Sequence, residues 1–255
     1  MFQFEPSRLK VKRANKHISD LHEMLSEFAK SDFYKLTSET NVQRGINFLR
    51  FDIDKSGFPL EDAALIMGDA LHNMRSSLDL LYYQIVLNPT NWTRFPIFAS
   101  RDELINKLNS AVKQKQITVS IQNYIFDNIK PYKGGNPFLW GLHDLNITDK
   151  HQIIIPVIKL MMFSGIHLED ENNEPIGDND YIADESCSLR LRDADDREVV
   201  IKDKGRSGVT ILFNKGISFE VDPVVPTLKR ISEEVKRTVD EFEIFLNQNI
   251  SKEKQ

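Results

Sequence analysis

The stretch Gly68-Asp69-Ala70-Leu71-His72-Asn73-Met74-Arg75-Ser76-Ser77-Leu78-Asp79 lies in the middle of a long helical pattern. Apolar residues recur there at alternating spacings of three and four, from about Leu60 to Leu87, which predicts a buried helix. A polar stripe follows one arc of the same helix. At about 100° per residue, His72 and Asp79 lie only ~20° apart around its axis. The stripe consists of Asp69, His72, Arg75, Ser76 and Asp79.

The polar stripe runs into apolar residues at both ends, with Leu65 before it and Tyr83, Val86 and Leu87 after it. A solvent-facing surface is the ordinary interpretation of such a stripe. A helix that is apolar on both faces at its ends, however, is typical of a central position in a domain. We therefore expect the stripe to be buried and its charges to be paired, because an isolated buried charge is costly.

Length, charge and cysteine content narrow the class of protein. The 255 residues suffice for one large domain or two small ones, and the net charge of −5 provides no bulk attraction to nucleic acid. The single Cys187 excludes an intramolecular disulfide and suits a reducing compartment. The first thirty residues lack the apolar segment of a signal peptide, and Pro156 and Lys159 interrupt the run Ile153 to Phe163. We expect a cytoplasmic protein without a membrane span.

Helical patterns dominate the chain up to about His151. Ser100 with Glu103 predicts a capped helix start, and Asn136 before Pro137 predicts another. An extended pattern with a break near Asn41 predicts one hairpin within this part. The expected elements are helices over Ser7–Phe33, Leu60–Leu87, Arg101–Lys113, Thr118–Ile129 and Pro137–His151, and the hairpin over Tyr34–Ile53.

The periodicity changes from helical to extended near Gln152. Gln152 to Ile158 has the composition of a buried strand. Alternation from Tyr181 to Val221 predicts a meander of four antiparallel strands. A final helix is expected to start between about Pro223 and Pro226. The predicted class is α+β, with a bundle over about 7–151 plus 224–249 and a sheet over about 152–222, in one domain 1–255. The four strands are Ser188–Arg192, Glu198–Lys202, Val209–Phe213 and Ile217–Val221, with turns that include Asp193–Asp196.

A second polar segment, Asn146 to His151, lies at the predicted junction between helix and strand. It complements the stripe on the central helix, since Arg75 and Lys150 are cationic whereas Asp79 and Asp149 are acidic. Buried charges need partners. We therefore predict that the two segments converge with at least one direct hydrogen bond or ion pair, and that any catalytic or ligand site lies at their junction.

The loop Lys130-Pro-Tyr-Lys133-Gly-Gly-Asn136 precedes a predicted helix start. Free backbone N–H groups at such a position can hold an anion. The glycine spacing is neither that of a Walker loop nor that of a dinucleotide fingerprint, so a plain connecting loop is the other interpretation. We expect Lys133 at the rim of any site.

Three pieces of the sequence together resemble a bacterial family to which no activity is assigned. They lie between about Pro59 and Ile155, and the resemblance implies no reaction. The pieces are Gly68-Asp69-x-x-His72-Asn73-x-Arg75-Ser76-x-Leu78-Asp79, Lys130-Pro131-Tyr132 and Leu142-x-x-Leu145-Asn146-x-x-Asp149-Lys150-His151.

The central helix is also loosely similar to the HEPN helical bundles, many of which are ribonucleases of defence and toxin systems. Their signature is an arginine, often followed by a polar residue, with a histidine a few residues later on the same helix. Arg75-Ser76 matches the first half, whereas Leu80 and Leu81 stand where the histidine is expected. The resemblance implies an RNA-cleaving alternative, which would also need a basic surface.

Three interpretations stay open. A structural network would pair His72, Arg75 and Asp79 with Asp149 and His151. An enzyme would use the same five as catalytic residues, with histidine and aspartate as base and orienter. Alternatively, His72, Asp79, Asp149 and His151 would form a mixed N/O metal set, although no zinc signature assigns a metal ligand. A binding module would recognise a nucleotide or a partner protein through the loop Lys130 to Asn136. The sequence names no cofactor, substrate or partner and leaves a homodimer open. The ligand-binding candidates are Asp69, Asn73, Lys133, Asn146 and Lys150.

Overall fold

Helices make up 49% of the chain and strands 20%, which confirms the predicted α+β class. The computed structural model describes residues 3–176, 180–191, 194–195 and 197–252. The last element is the expected helix. The elements are α1 (Glu5–Ala29), β1 (Tyr34–Asn41), β2 (Ile46–Ile53), α2 (Leu60–Ile85), α3 (Arg101–Lys113), α4 (Val119–Tyr124), a π-helical turn (Ile125–Ile129), α5 (Pro137–His151), β3 (Val157–Ser164), β4 (His167–Glu169), β5 (Tyr181–Ala183), β6 (Cys187–Leu191), β7 (Val200–Asp203), β8 (Arg206–Leu212) and α6 (Val224–Lys252).

Side-chain caps explain where several helices begin. The Ser100 hydroxyl accepts a hydrogen bond from the Glu103 N–H at the start of α3. Asn136 Oδ1 accepts from the N–H groups of Phe138 and Leu139 at the start of α5, with Pro137 in the first turn. Each cap satisfies backbone donors that have no partner within the helix. Both helix starts are therefore confirmed as predicted.

The chain forms two compact units. Unit 1 takes its described residues from Met1–Leu21, Asp62–Ile155 and Phe213–Gln255, and unit 2 from His22–Glu61 and Pro156–Leu212. The single domain over residues 1–255 stays a prediction. No helix in the described ranges is both long and apolar enough to cross a bilayer.

The core of unit 1 surrounds α2. Met67, Leu71, Met74 and Leu78 are fully buried, as their spacing predicts. The segment after α2 packs on the final helix through Phe95, whose ring contacts Phe242 edge to face at 6.2 Å. A buried Leu or Met side chain contributes roughly 1.5–3 kcal/mol, so this seam is a main source of stability for unit 1.

Three small antiparallel sheets form unit 2. Their strand orders are β1-β2-β6, β5-β3-β8 and β4-β7. The hairpin β1–β2 confirms the one expected between Tyr34 and Ile53. An aromatic cluster fills the core beside it, since the ring of Phe163 lies 4.6 Å from Phe51 and 6.3 Å from Phe33.

The predicted four-stranded meander is wrong. Three of its four segments do form strands, but each pairs with a strand that is distant in sequence: β6 with β2, β7 with β4 and β8 with β3. Alternation reports that a segment is extended, whereas its partner depends on which sheet edge has unpaired backbone groups. Two of these predictions reach residues outside the described ranges. Residues 193 and 196 belong to the expected turn Asp193–Asp196, and residue 192 was the expected end of the strand Ser188–Arg192.

The expected strand Ile217–Val221 is a series of turns instead. Phe219 and Val221 have positive φ angles of 61° and 58°, which an extended strand cannot accommodate. Tertiary packing stabilises this strained backbone, because a Cβ on Gly141 would lie only 2.2 Å from the Phe219 ring. The strand expected over Gln152–Ile158 likewise begins only at Val157, after Pro156, which lacks a backbone N–H.

Candidate functional site

A cleft of about 460 Å³ in unit 1 lies against the second half of α2. We call it the main cleft. Its other walls come from the segment 90–98, from α3 and from α5. Its charged, polar and aromatic lining includes Arg75, Asp79 and Tyr82 from α2, Trp92, Arg94 and Phe98 from the segment that follows it, Lys107 from α3, and His143, Asn146 and Lys150 from α5.

Arg75 is the buried cation of the main cleft, with 7% of its surface exposed. Its Nη2 donates to Asp79 Oδ1 at 2.9 Å and to the Phe95 carbonyl at 2.7 Å. Its Nη1 is buried and has no hydrogen-bond partner among the described residues. Burial lowers the pKa of the guanidinium, and the nearby Asp79 carboxylate opposes that shift. The group remains cationic at neutral pH because its ordinary pKa is so high.

Asp79 joins α2 to the segment that follows it. Besides the bond from Arg75, its Oδ1 accepts from the Phe95 N–H at 2.8 Å, and its Oδ2 lies 3.7 Å from Arg94 Nε. Arg75 in turn binds the carbonyl of the same Phe95. The ion pair between Arg75 and Asp79 on α2 thus binds both the N–H and the carbonyl of Phe95. These bonds position the segment that forms one wall of the cleft.

The charge of the main cleft is opposite in sign to that of the chain. Of its described lining residues, Arg75, Arg94, Lys107 and Lys150 are cationic and only Asp79 is anionic, whereas the chain carries −5. The lysines at 107 and 150 make no hydrogen bond or ion pair with any other described residue. Clefts lined by one sign of charge concentrate counter-ions. The arrangement is therefore suited to an anion.

His143 is the histidine of the main cleft, and the sequence did not single it out as a site residue. Burial and the charges of Arg75 and Lys150 together lower its pKa to about 4, against the opposing effect of Asp144. His143, Asn146 and Lys150 follow one face of α5 at spacings of three and four. That spacing was the available signal, but the neighbouring motif directed attention to His151.

Two smaller clefts adjoin the main one. The second, of about 330 Å³, shares Arg75, Asp79, Arg94 and Lys150 with it and adds Lys10 and His72. The third, of about 230 Å³, lies between Gly68 and Asp149 and is also lined by Asp69, His72, Asn146 and Lys150. Lys150 lines all three, so it connects the cationic surface along α5.

The predicted convergence of the two polar segments is confirmed. A Cβ added at Gly68 would lie 2.6 Å from Asp149 Oδ2, so the Asp149 carboxylate fills the space that the glycine leaves. The direct hydrogen bond or ion pair expected between the segments is wrong, since none joins residues 69–79 to 146–151 within the described structure. The reason is local: Arg75 finds its carboxylate one turn away on its own helix.

The expectation that the whole polar stripe is buried is also wrong. Asp69 and His72 are exposed. Of the apolar residues at the ends, Leu65, Tyr83 and Leu87 face solvent, with exposures of 56%, 45% and 58%, whereas Val86 is buried. An apolar residue at the end of a helix face does not prove burial, because much of any protein surface is apolar. Within the stripe, only Arg75 is buried, and Asp79 is partly buried, with 20% of its side chain exposed.

The remaining sequence candidates have separate positions. His151 is exposed at the end of α5 and lines none of the three clefts. Lys133 is exposed too, with Nζ 5.9 Å from the ring centre of Trp140, outside the main cleft. Asn73 accepts from Lys10 Nζ at 3.3 Å and donates to the Asp69 carbonyl, so it connects α1 with α2.

Comparison with known proteins identifies no relative: no protein-family model, curated protein or solved structure matches this chain. The four residues considered as a mixed metal set, His72, Asp79, Asp149 and His151, do not come together. More generally, the described part of the chain contains no group of three or more His, Cys, Asp and Glu side chains that could hold a metal ion.

Replacing Arg75 with alanine should lower the free energy of unfolding by about 3–5 kcal/mol, the cost typical of removing one partner of a buried ion pair. Asp79 would lose its buried cationic partner, and the Phe95 carbonyl would lose its donor. Urea denaturation measures the change. Arg94→Ala is the matched control: it removes the other cation near Asp79 from a side chain that is 59% exposed, and we expect a loss below about 1 kcal/mol. Equal losses for the two variants would contradict the assignment.

Replacing Gly68 with alanine should destabilise the protein, although alanine is the better helix former by about 1 kcal/mol. The new methyl would collide with Asp149. In an Asp149→Ala background the same change should become neutral or stabilising, because the space is then open. A double-mutant cycle on thermal unfolding measures this reversal of sign. Additive effects would show that Gly68 and Asp149 are not in contact.

Proposed function

We propose that unit 1 is a binding module for a small organic anion, which the main cleft holds between α2 and α5. The observation that carries this proposal is the buried Arg75 Nη1, a charged donor without a partner among the described residues. A buried donor that makes no hydrogen bond costs roughly 1–3 kcal/mol, and more when it is charged. An acceptor oxygen that enters the cleft against Arg75 removes that cost.

The geometry of Arg75 favours a phosphate or a carboxylate. Asp79 and the Phe95 carbonyl share Nη2 and hold the plane of the guanidinium, which leaves Nη1 as the donor for a ligand. Charge-assisted hydrogen bonds from arginine to such anions are about twice as strong as neutral ones. A guanidinium that its neighbours already orient loses little entropy on binding.

The surrounding charges support the same ligand class. Lys107 and Lys150 have no acidic partner within the described structure. The acidic neighbour of Arg94 is Asp79, whose Oδ2 lies 3.7 Å from Arg94 Nε and whose other oxygen is bonded to Arg75. Neutral His143 adds a donor or acceptor beside them without adding charge. The balance of the cleft is positive even after Asp79 is counted, so an anion with two charges gains most.

The network of Arg75, Asp79 and Phe95 has a structural role in this proposal as well. It fixes the packing of α2 against the segment that forms the outer wall, so the scaffold and the site use the same bonds.

We place the protein in the cytoplasm, because its one cysteine, Cys187, is free and suits a reducing compartment.

A nuclease or hydrolase built from the same cluster is the alternative. Its support is weaker, because His151 and His72 do not line the main cleft and Asp149 lies in the third one. His143 is a poor general base at neutral pH, since burial and the nearby cations lower its pKa to about 4 and a base works best with a pKa near the operating pH.

Inorganic pyrophosphate should bind wild-type protein and raise its melting temperature, by an amount that grows with the logarithm of the free ligand concentration once this exceeds the Kd. Lys107→Gln and Lys150→Gln should each weaken binding by about threefold at low salt, as expected for one exposed charge. Lys113→Gln is the matched control, because Lys113 follows Lys107 on α3 but lies outside the cleft. Isothermal titration calorimetry measures the affinities. Absence of binding, or equal effects of Lys107 and Lys113, would refute the proposed site.

Sulfate, which does not titrate between pH 5 and 8, should bind more tightly as the pH falls. The field of Arg75 and Lys150 and burial keep His143 neutral, with Asp144 opposing them. A bound anion offsets the two cations, so it raises the pKa of His143 and proton uptake accompanies binding. His143→Gln should flatten the pH dependence of the affinity. An unchanged slope in that variant would exclude His143 from the site.

A further inference from the structure

Trp92 is a lining residue of the main cleft whose side chain is 88% exposed. The loop around it is ordered by hydrogen bonds of its own: Thr90 Oγ1 accepts from the Trp92 N–H at 3.2 Å, and Thr93 Oγ1 accepts from the Thr90 N–H at 2.9 Å. These hydrogen bonds order the loop backbone that carries the indole. A large aromatic ring in such a position loses apolar contact with water only when something covers it.

Arg94 contributes to the same loop. Its Nη1 donates to the carbonyls of Asn91 and Thr93, while its Nε lies 3.7 Å from Asp79 Oδ2. One side chain thus connects the loop that carries Trp92 with the carboxylate that orients Arg75.

The main cleft is larger than a single tetrahedral anion requires. A volume of about 460 Å³ corresponds to roughly fifteen water molecules at ~30 Å³ each, far more than one tetrahedral anion displaces. Tyr82 and Phe98 add aromatic surface to the wall, and the buried Asn146 adds an amide. Apolar walls with a few polar groups are typical of sites for flat organic ligands.

We propose that the ligand is an aromatic phosphate of the nucleoside monophosphate class. Its ring stacks on Trp92, and its phosphate binds at Arg75 and Lys150. This inference rests on the proposed anion-binding function and adds the identity of the ligand body. Stacking on an aromatic side chain is tolerant of base identity, because every base offers a π face.

The test uses the fact that the chain contains two tryptophans. In a Trp140→Phe variant, Trp92 is the remaining source of indole fluorescence. The four common ribonucleoside monophosphates are titrated, together with adenosine and inorganic phosphate. We expect at least one nucleotide to quench the fluorescence and to bind about tenfold more tightly than adenosine and than phosphate.

A second variant separates the ring from the anion. Trp92→Ala should weaken nucleotide binding by about tenfold, the loss typical of one stacked base, and leave the calorimetric affinity for inorganic phosphate unchanged. Lys150→Gln should weaken both ligands. Lys113→Gln should weaken neither.

The outcomes distinguish the two proposals. If phosphate and pyrophosphate bind at Lys150 but no nucleotide binds more tightly and Trp92→Ala has no effect, the nucleotide inference is overturned and the anion site stands. If neither inorganic anions nor nucleotides bind, both fail. Nucleotide binding that is insensitive to Trp92→Ala and Lys150→Gln would place the ligand elsewhere and also overturn the inference.

Discussion

The hydrogen bonds of the Arg75 guanidinium are the interaction on which unit 1 depends. One nitrogen binds a carboxylate on its own helix and the carbonyl of Phe95, and the same carboxylate accepts the N–H of Phe95. Desolvating a cation is expensive, and the compensation is incomplete because Nη1 has no partner among the described residues. The guanidinium is thus both an internal brace of unit 1 and a charged lining group of the main cleft. A hydrophobic residue at position 75 could provide packing but neither of these roles.

Close approach of α2 and α5 depends on a different device. Gly68 has no side chain, and the Asp149 carboxylate occupies the space that a Cβ would fill. The polar residues of α5 therefore reach the polar face of α2 without a direct bond between them. Steric fit positions the two helices here, and hydrogen bonds position the segment after α2. The three clefts along Lys150 lie where these two arrangements meet.

Local charge decides what the main cleft attracts, and the total charge of the chain does not. The acidic residues that make the chain negative lie largely elsewhere, whereas the described lining of the cleft has one carboxylate against four cations. Burial, together with the charges of Arg75 and Lys150, lowers the pKa of His143 to about 4 and keeps the imidazole neutral. A neutral imidazole between cations is able to take up a proton when an anion enters, which couples binding to pH.

The sequence alone determined the helices, their capped starts and the importance of α2, because periodicity and caps are local properties. It also brought the Gly68 and Asp149 segments together, since both carry polar groups among apolar ones. Only the tertiary structure decided which strands pair. The pattern of Cys187–Leu191 predicts an extended segment but not its partner, which in the structure is β2. Burial followed the same rule: Leu65 and His72 face solvent although the pattern suggested a buried helix. His143 and Trp92 became candidates only when folding placed them beside Arg75, because neither has a distinctive local motif and a cleft is defined by residues distant in sequence.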